Sequence, residues 1–406
     1  MDELTETAAA PRIVIMAVGG AGCRIIREFA ESPAAARFRL LAMDSDVDSL
    51  RQSGLPEEAC IPAGKLWRGG RGCGGDFMAG QMAASNKRRI LAGKLDGAEV
   101  LLVVAGMGGG FASGALSVIF GVAAKMHIVS VLLCTLPFDM EGFRRRKLAE
   151  ERISADILPV ADAVITLPND LLFHTMAPEV PLAEALRNSD VQMSRSLLAL
   201  AQILAGGNLF NADLSAFTAV LKRRHALCAL GVGLADNGED APERMLSSLL
   251  ASPLLGGTEA FDTADAVVFS LLGGPELSLG QAKAVLELAG RQIDAEADKQ
   301  LLLGAATEPA LTGKLQLTAL AVRYLDAEAA PDAVPADQPV RAVSRHRHGP
   351  KSPSGVEQPS LPIFETDDKG IMENTLPVII DGQDMDIPAY KRKGLVLDFG
   401  KQVHHE

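Results

Sequence analysis

Short apolar runs alternate with helical stretches over the first 169 residues, and this alternation constrains the fold more than any other feature. The runs occupy residues 12–18, 38–43, 100–105, 128–136 and 163–167. A strand with one solvent-exposed face alternates apolar and polar residues, and these runs do not. Each run is therefore expected to be a strand that is buried on both faces. The pattern therefore predicts an α/β fold with a doubly wound parallel sheet.

A long amphipathic helix separates this first domain, residues 11–180, from a second one. Leucine and methionine recur at spacings of three, four or seven between Leu182 and Leu204, which predicts one central helix over 181–206. Residues 207–326 then form a predicted α+β domain. Its expected helices are 214–223, 241–251 and 278–292, and its apolar runs are 226–231, 266–272 and 315–322.

The last eighty residues have a different composition. Seven prolines lie between Pro331 and Pro362 among small and polar residues, which predicts a disordered linker over 327–375. Apolar residues return in 376–406 beside the basic group 391–393, which is typical of a short partner-binding peptide on a tether.

Charge and cysteine usage exclude several classes of function. With 39 Lys and Arg against 51 Asp and Glu, the net charge of −12 disfavours nucleic acid as a partner. Five cysteines without a C-x-x-C pair favour a reducing compartment and neither a zinc site nor disulfides. Residues 1–10 are acidic, unlike a secretory signal, and are expected to be flexible. We therefore expect a cytoplasmic protein with no metal site.

One stretch without charged residues, 100–124, has the length that a membrane-spanning helix needs. Glycines interrupt it, so it is interpreted as a buried strand, a glycine loop and a helix that starts near Gly114. No direct membrane insertion is expected.

Three glycine-rich loops follow predicted strands, at residues 19–22, 69–75 and 106–114. Glycines let several main-chain N–H groups converge on an anion, and a following helix adds the positive end of its dipole. Three such loops in one α/β domain predict a phosphate-containing ligand.

Two common phosphate motifs are absent. A Walker A loop needs Gly-Lys followed by Ser or Thr, and each Gly-Lys pair here is followed by Leu or Gln. A dinucleotide fingerprint that starts at Gly20 would need glycine at position 25, which is Ile25. A Rossmann dehydrogenase is therefore disfavoured.

The order and spacing of these loops resemble the tubulin and FtsZ family, in the form of a divergent bacterial FtsZ. The first loop is similar to the family's Gly-Gly-Gly-Gly-x-Asn, and residues 137–145 are similar to its Pro-Phe-x-x-Glu-Gly-x-x-Arg. Further matching segments are 44–46, 70–76, 105–110, 167–170, 252–255, 273–279 and 384–390. Most of residues 11–326 and the tail are covered.

The resemblance implies a GTPase that binds GTP or GDP, with Mg²⁺ as a candidate second cofactor, and assembles head to tail into a homopolymer at the division septum. It implies nucleotide contacts by Gly19, Gly20, Ala21, Gly22, Arg24, Asp44, Gly72, Gly74, Gly75, Gly106, Met107, Gly108, Gly109, Gly110, Phe111, Ala112, Ser113, Gly114, Pro137, Glu141, Arg145, Asn169 and Asp190. In the tail it implies that a membrane-linked division adaptor binds Asp386, Ile387, Pro388, Tyr390 and Arg392.

The resemblance also places catalysis on the loop after the central helix, which acts on the next subunit's nucleotide. That loop has Phe210 where the family has its first acid, and it keeps the second acid as Asp213. Loss of one positioned acid or base removes about 10² to 10⁴ in rate, so hydrolysis is expected to be slow unless Asn208 or Asn211 holds the water. A helix N-cap is the alternative role for Asp213.

The phosphate loop departs from the family pattern as well. Phe111 and Ala112 stand where the family has threonine and glycine, and Arg24 stands where it has an asparagine near the base. An alanine held at positive φ would cost about 1 kcal/mol or more.

Two other functions compete with a slow GTPase. A non-hydrolysing paralogue would act as a structural or regulatory partner of a competent FtsZ. A small-molecule α/β enzyme would use the same glycine loops, but the long tail and the missing fingerprint disfavour it.

Overall fold

The computed structural model describes residues 12–64, 68–168, 179–205, 214–221, 225–293, 299–325, 379–380 and 383–384. The strands are β1 Ile13–Val18, β2 Arg39–Asp44, β3 Cys60–Pro62, β4 Val100–Gly106, β5 Val129–Leu136, β6 Ala163–Pro168, β7 Ala226–Asp236, β8 Ala266–Gly273, β9 Gln300–Thr307, β10 Lys314–Tyr324, β11 Ile379–Ile380 and β12 Gln383–Asp384.

The α-helices are α1 Gly19–Ala30, α2 Val47–Gln52, α3 Phe77–Ser85, α4 Arg88–Leu95, α5 Gly110–Lys125, α6 Phe143–Arg152, α7 Leu182–Leu204, α8 Leu214–Leu221, α9 Ala241–Leu250, α10 Glu259–Asp262 and α11 Leu279–Gly290. Short 3-10 turns cover Pro33–Arg37, Glu57–Ala59, Arg68–Gly70, Asp139–Glu141 and Pro309–Leu311, and a π turn covers Ile153–Ile157.

Strands β1 to β10 form one ten-stranded sheet in the order β3-β2-β1-β4-β5-β6-β7-β10-β8-β9. All neighbours from β3 to β7 are parallel, β10 is antiparallel to both β7 and β8, and β9 is parallel to β8. The α/β fold with a large parallel sheet is therefore confirmed. The sheet continues from β6 into β7 through three residue pairs, so the region predicted as a second domain shares the sheet of the first.

Apolar layers cover both faces of the parallel half, as the unbroken apolar strands require. On one face Ile15 and Val104 pack with α1 and α7, and on the other Met16 and Val103 pack with α3, α4 and α5. A third cluster, which includes Phe261 and Phe269, lies between the second half of the sheet and α9 and α11. Helix α7 buries Leu197 against the first of these layers, which also contains residues of β8 and β10.

The helix expected near Gly114 begins earlier, at Gly110, so this part of the prediction is wrong. The reason is helix packing. A Cβ atom at Gly110 would lie 2.6 Å from the main-chain nitrogen of Asp76, and one at Gly114 would lie 2.5 Å from that of Gln81. These glycines let α3 and α5 approach closely and do not extend the loop. Ala112 lies inside α5 and is not among the described residues with positive φ, so the strain considered for it does not arise.

Two strands of the ten-stranded sheet were not predicted. Strand β3 is only three residues long. Strand β9 begins with exposed residues and is buried only toward its end. In the tail, β11 pairs with β12 in antiparallel fashion. The predicted linker 327–375 lies outside the described residues.

Candidate nucleotide site

The first residues of α1 and α5 line one cavity of about 430 Å³, within the range of roughly 300 to 1,000 Å³ usual for small-molecule sites. Helix α1 follows β1 directly at Gly19, and α5 begins at Gly110 just after β4. Neither helix has a side-chain cap or an acidic residue in its first turn. Their first N–H groups therefore have no partner in their own helix and carry the positive end of the helix dipole.

Helices α2 and α3 begin differently. The Asp46 carboxylate accepts from the N–H of Asp48, and the Asp76 carboxylate accepts from the N–H of Ala79. Side chains thus cap the N-termini of α2 and α3, while the N-termini of α1 and α5, which line the cavity with glycine, remain available to a ligand. Helix ends of that kind bind phosphate groups.

The turn between β4 and α5 brings main chain close to the cavity. Gly108 has φ of +91°, which only glycine adopts without strain, and the N–H of Gly108 donates to the Ser113 hydroxyl at 3.3 Å. Next to it, the N–H of Met107 donates to the carbonyl of Thr135 at 2.9 Å. Ser113 therefore uses its oxygen within the turn.

The segment 137–145 is tied to this turn. The Arg145 Nε donates to the carbonyl of Gly108 at 3.1 Å, and its Nη1 pairs with the Glu141 carboxylate at 2.6 Å. The other oxygen of Glu141 accepts from the N–H of Phe138 at 3.1 Å. Arg145 is about half exposed and lines the cavity beside the glycine turn.

The third glycine segment is held against the end of β2. The Cys73 thiol donates to the Ser45 hydroxyl at 3.2 Å, and the main chains of Asp46 and Arg71 form an isolated antiparallel β-bridge. Asp44 is buried, and its carboxylate accepts from the N–H groups of Ser45 at 2.6 Å and Asp46 at 3.1 Å. Burial raises the pKa of Asp44, while these two amides lower it.

Helix α7 closes another side of the cavity with an ion pair. The Nε of Arg24 on α1 donates to Oδ2 of Asp190 on α7 at 2.9 Å. The Asp190 side chain is 11% exposed and that of Arg24 is 42% exposed. Burial raises the pKa of Asp190, and the Arg24 charge lowers it.

Most residues expected to contact the nucleotide line this cavity. They are Gly19, Gly20, Ala21, Arg24, Asp44, Gly72, Gly106, Met107, Gly109, Gly110, Phe111, Ala112, Pro137, Glu141, Arg145 and Asp190. The residues of the expected set that lie elsewhere among the described ones are Gly22, Gly74, Gly75, Gly108, Ser113 and Gly114. Of these, Gly75, Gly108 and Ser113 line a neighbouring cavity of about 650 Å³ with Arg144 and Arg152.

Gly22 has a packing role, because a Cβ there would lie 2.6 Å from the carbonyl oxygen of Val104. Eight other lining residues were not among the expected contacts, namely Ser45, Asp46, Ser49, Cys73, Thr135, Phe138, Leu186 and Ser189. Motif spacing could have suggested Ser45 and Asp46, which flank Asp44 directly. The expected residues Asn169, Asn208, Asp213, Asp386, Ile387, Pro388, Tyr390 and Arg392 lie outside the described residues.

Comparison with known proteins identifies the family. The sequence model of one protein family, described as Tubulin/FtsZ family, GTPase domain, matches residues 12–177. Cell division protein FtsZ 1 of Pyrococcus woesei is 30% identical over 321 residues, which cover 78% of this chain and 84% of the relative. The chain belongs to the tubulin/FtsZ family. The FtsZ 1 protein of Thermococcus kodakarensis is also 30% identical, over 70% of this chain and 74% of the relative.

Solved structures of tubulin/FtsZ proteins share the fold. An empty FtsZ dimer of M. jannaschii has a TM-score of 0.68 at 23% identity and covers 80% of this chain and 95% of that one. A GTPγS-bound protofilament of CetZ2 from Haloferax volcanii has a TM-score of 0.62 at 21% identity, with coverage of 76% and 92%. The chain is thus an FtsZ-like member of a family of filament-forming GTPases that bind guanine nucleotides. The relatives named here are archaeal, and the bacterial origin stays a prediction.

None of the helices in the described part of the chain is both long and apolar enough to cross a membrane. In the same part of the chain, no three His, Cys, Asp or Glu side chains come together as a metal site.

Proposed function

We propose that this chain binds GTP in the cavity between α1, α5 and α7 and hydrolyses it slowly between successive subunits of a head-to-tail filament in a bacterial division apparatus. The observation that carries the proposal is the convergence of two uncapped helix N-termini on one cavity. Their N–H groups and dipoles suit a polyphosphate, and Arg145 adds a cation beside them.

The charge balance of the cavity bears on the second cofactor. Among the described residues that line it, four are acidic, Asp44, Asp46, Glu141 and Asp190, and two are basic, Arg24 and Arg145. A bound triphosphate would therefore gain from a divalent cation. Mg²⁺ bound here would take its ligands chiefly from phosphate oxygens and water, as it does in many nucleotide sites.

Exposed apolar side chains beside the cavity support assembly through this face. Met140 is 74% exposed and Phe143 is 77% exposed, and they flank Glu141 in the chain. Exposed apolar groups next to a polar site are typical of protein interfaces. An interface here would bury the nucleotide between two copies and bring the loop with Asn208 and Asp213 from the next copy to the γ-phosphate.

In the proposed reaction, a water oxygen bonds to the γ-phosphorus as the bond to the bridging β-phosphate oxygen breaks, which releases GDP and phosphate. The Asp213 carboxylate would orient this water, and Asn208 would assist it. Phe210 offers no acceptor, so turnover should be about 10² to 10⁴ below that of a site with two acids.

Phosphate release measured against protein concentration tests this function. Because the site is completed in trans, turnover per chain should rise steeply above a critical concentration, together with sedimentable polymer. Phe210→Asp should raise turnover, while Leu209→Asp, which adds the same charge at the neighbouring position, should not. If both variants behave as the wild type does, the account of the missing acid is wrong.

The substitution at Phe210 also favours one alternative, a paralogue that binds GTP and co-assembles with a competent FtsZ without hydrolysis. Sedimentable polymer without phosphate release at any concentration would support it. In either case we propose that the tail residues Asp386, Ile387, Pro388, Tyr390 and Arg392 bind a membrane-linked adaptor at the septum. A fluorescent fusion that lacks residues 376–406 should then polymerise in solution but fail to localise at the division site.

A further inference from the structure

A second cavity, of about 650 Å³, adjoins the nucleotide cavity. The two cavities share the lining residues Gly109, Glu141 and Arg145. Gly109 lies directly before α5, whose uncapped N-terminus is one of the two helix ends that suit phosphate groups. The second cavity therefore lies next to the place where the phosphate chain of a bound nucleotide is expected.

Helix α6 gives the second cavity a positive charge. Arg144, Leu148 and Arg152 are four residues apart and lie along one side of this helix. Among the described residues that line the cavity, three are basic, Arg144, Arg145 and Arg152, and one is acidic, Glu141. Glu141 already pairs with Arg145, so the other two guanidinium groups have no carboxylate partner among these lining residues. The cavity thus favours an anion, although the chain as a whole has a net charge of −12.

Arg152 is held in position by two contacts. Its Cζ lies 3.8 Å from the centroid of the Phe77 ring on α3, and its Nη1 donates to Oδ2 of Asp156 at 2.9 Å. Phe77 also lines the cavity, so the cation–π contact connects α6 to α3 at this site. A cation that is already ordered loses little conformational freedom when a ligand binds.

Two further donors of the second cavity are available to a ligand. Within the described part of the chain, Arg144 makes no hydrogen bond or ion pair. Ser113 is only 7% exposed, and its hydroxyl oxygen accepts from the N–H of Gly108 at 3.3 Å. The hydroxyl proton of Ser113 has no acceptor among the described residues. Guanidinium and hydroxyl donors suit the oxygens of a phosphate.

We propose that the second cavity binds inorganic phosphate, one of the two products of the proposed hydrolysis, at a position separate from that of the γ-phosphate. The inference rests on the proposed function and deepens it. Arg144 and Arg152 donate to the phosphate oxygens, and the Ser113 hydroxyl donates to another of them. Because the two cavities adjoin at Gly109 and Arg145, the released phosphate can enter the second one while GDP stays bound.

Two simpler roles for the arginines make different predictions. If they only attract the nucleotide, inorganic phosphate should bind in the γ-phosphate position, and a nucleotide that fills this position should exclude it. If α6 attracts anions by its overall charge, every cation on the helix should contribute equally. A GTP analogue that cannot be hydrolysed, together with a cation on another side of α6, therefore separates the three roles.

The experiment measures binding of radiolabelled inorganic phosphate by equilibrium dialysis to the full-length protein saturated with guanylyl imidodiphosphate, a GTP analogue that is not hydrolysed. The wild type should bind about one phosphate per chain at a site that the analogue does not occupy. Arg144→Met and Arg152→Met should each raise the dissociation constant of phosphate about tenfold, because each removes a charge-assisted hydrogen bond. Neither residue lines the nucleotide cavity, so affinity for the analogue should change less than about threefold.

Lys147→Met is the matched control, because Lys147 is on the same helix, is 63% exposed and does not line the second cavity. It should leave phosphate binding within about twofold of the wild type. No phosphate binding while the analogue is bound, unchanged binding in both arginine variants, or equal weakening in all three variants would overturn the proposal. If Arg152→Met does not fold, Arg144→Met decides the matter, because the Arg144 side chain is exposed. Absence of any guanine-nucleotide binding by the wild type would instead overturn the proposed function itself.

Discussion

Arg145 holds the glycine turn of the site through a main-chain contact: its Nε donates to the carbonyl of Gly108 at 3.1 Å. The same guanidinium pairs with Glu141, so a single side chain connects the loop before α6 to the turn before α5. Gly108 can make this contact because a Cβ there would lie 3.1 Å from Arg145 Nε and closer still to Pro137.

Arg145→Ala should therefore weaken GTP binding about tenfold, because it removes a cation near the phosphates and a hydrogen bond that orders the turn. Calorimetric titration with GTP and GDP checks this. Lys147→Ala is a suitable control, since Lys147 is exposed and pairs only at 3.9 Å with Glu151. Equal effects of the two substitutions would show that general surface charge, and not the contact with Gly108, governs affinity.

Gly114→Ala should lower the free energy of unfolding by about 1 to 3 kcal/mol or more, because the new methyl group would meet the main chain of α3. Gly121→Ala in the same helix meets no atom within 4 Å and should raise it by about 0.5 to 1 kcal/mol. Urea denaturation followed by circular dichroism measures both. Similar changes in the two variants would contradict the packing role of Gly114.

A buried amide pair connects the central helix to the second half of the sheet. Nε2 of Gln316 on β10 donates to Oε1 of Gln202 on α7 at 3.2 Å. Gln202→Met should cost about 1 to 3 kcal/mol, because it leaves a buried amide short of a partner, and Gln202→Met with Gln316→Met should cost less than the sum of the single changes. Denaturation of the four proteins completes the cycle. Strict additivity would mean that the pair contributes nothing.

Asp44 should make stability depend on pH. Its folded pKa is raised by burial, so the folded state keeps this proton to a higher pH than the unfolded chain, in which the pKa is about 3.9. The stability that Asp44 contributes is therefore complete below about pH 3.9 and is lost as pH rises through the folded pKa.

Asp44→Asn removes this titration, so its stability relative to the wild type should increase from pH 4 toward neutrality. Denaturation midpoints at several pH values measure the difference. The variant should also bind GTP a few-fold tighter at neutral pH, because one negative charge leaves the cavity. A constant difference across this range would contradict the assignment of the shift to Asp44.

The spacing of apolar residues predicted helices and strands well where burial of those residues determined the structure. The spacing of Leu182 to Leu204 predicted one long helix where α7 is found, because Met193, Leu197 and Leu204 pack into one buried layer, although Leu182 at its start is exposed. The apolar runs placed the strands of the parallel half to within one residue at most ends, because both faces of these strands are buried. Strand β3 was missed because three residues carry too little periodicity.

The amino-acid sequence by itself determined the alternation of strands and helices, the positions of the glycine segments and the resemblance that led to the family, since each depends on residues near one another in the chain. Only the tertiary structure decided that Gly110 and Gly114 serve helix packing and that Arg24 meets Asp190, 166 residues away. Such contacts depend on how the helices that connect the strands pack against the sheet and against each other. Many distant residues set that arrangement together, so no local pattern records it.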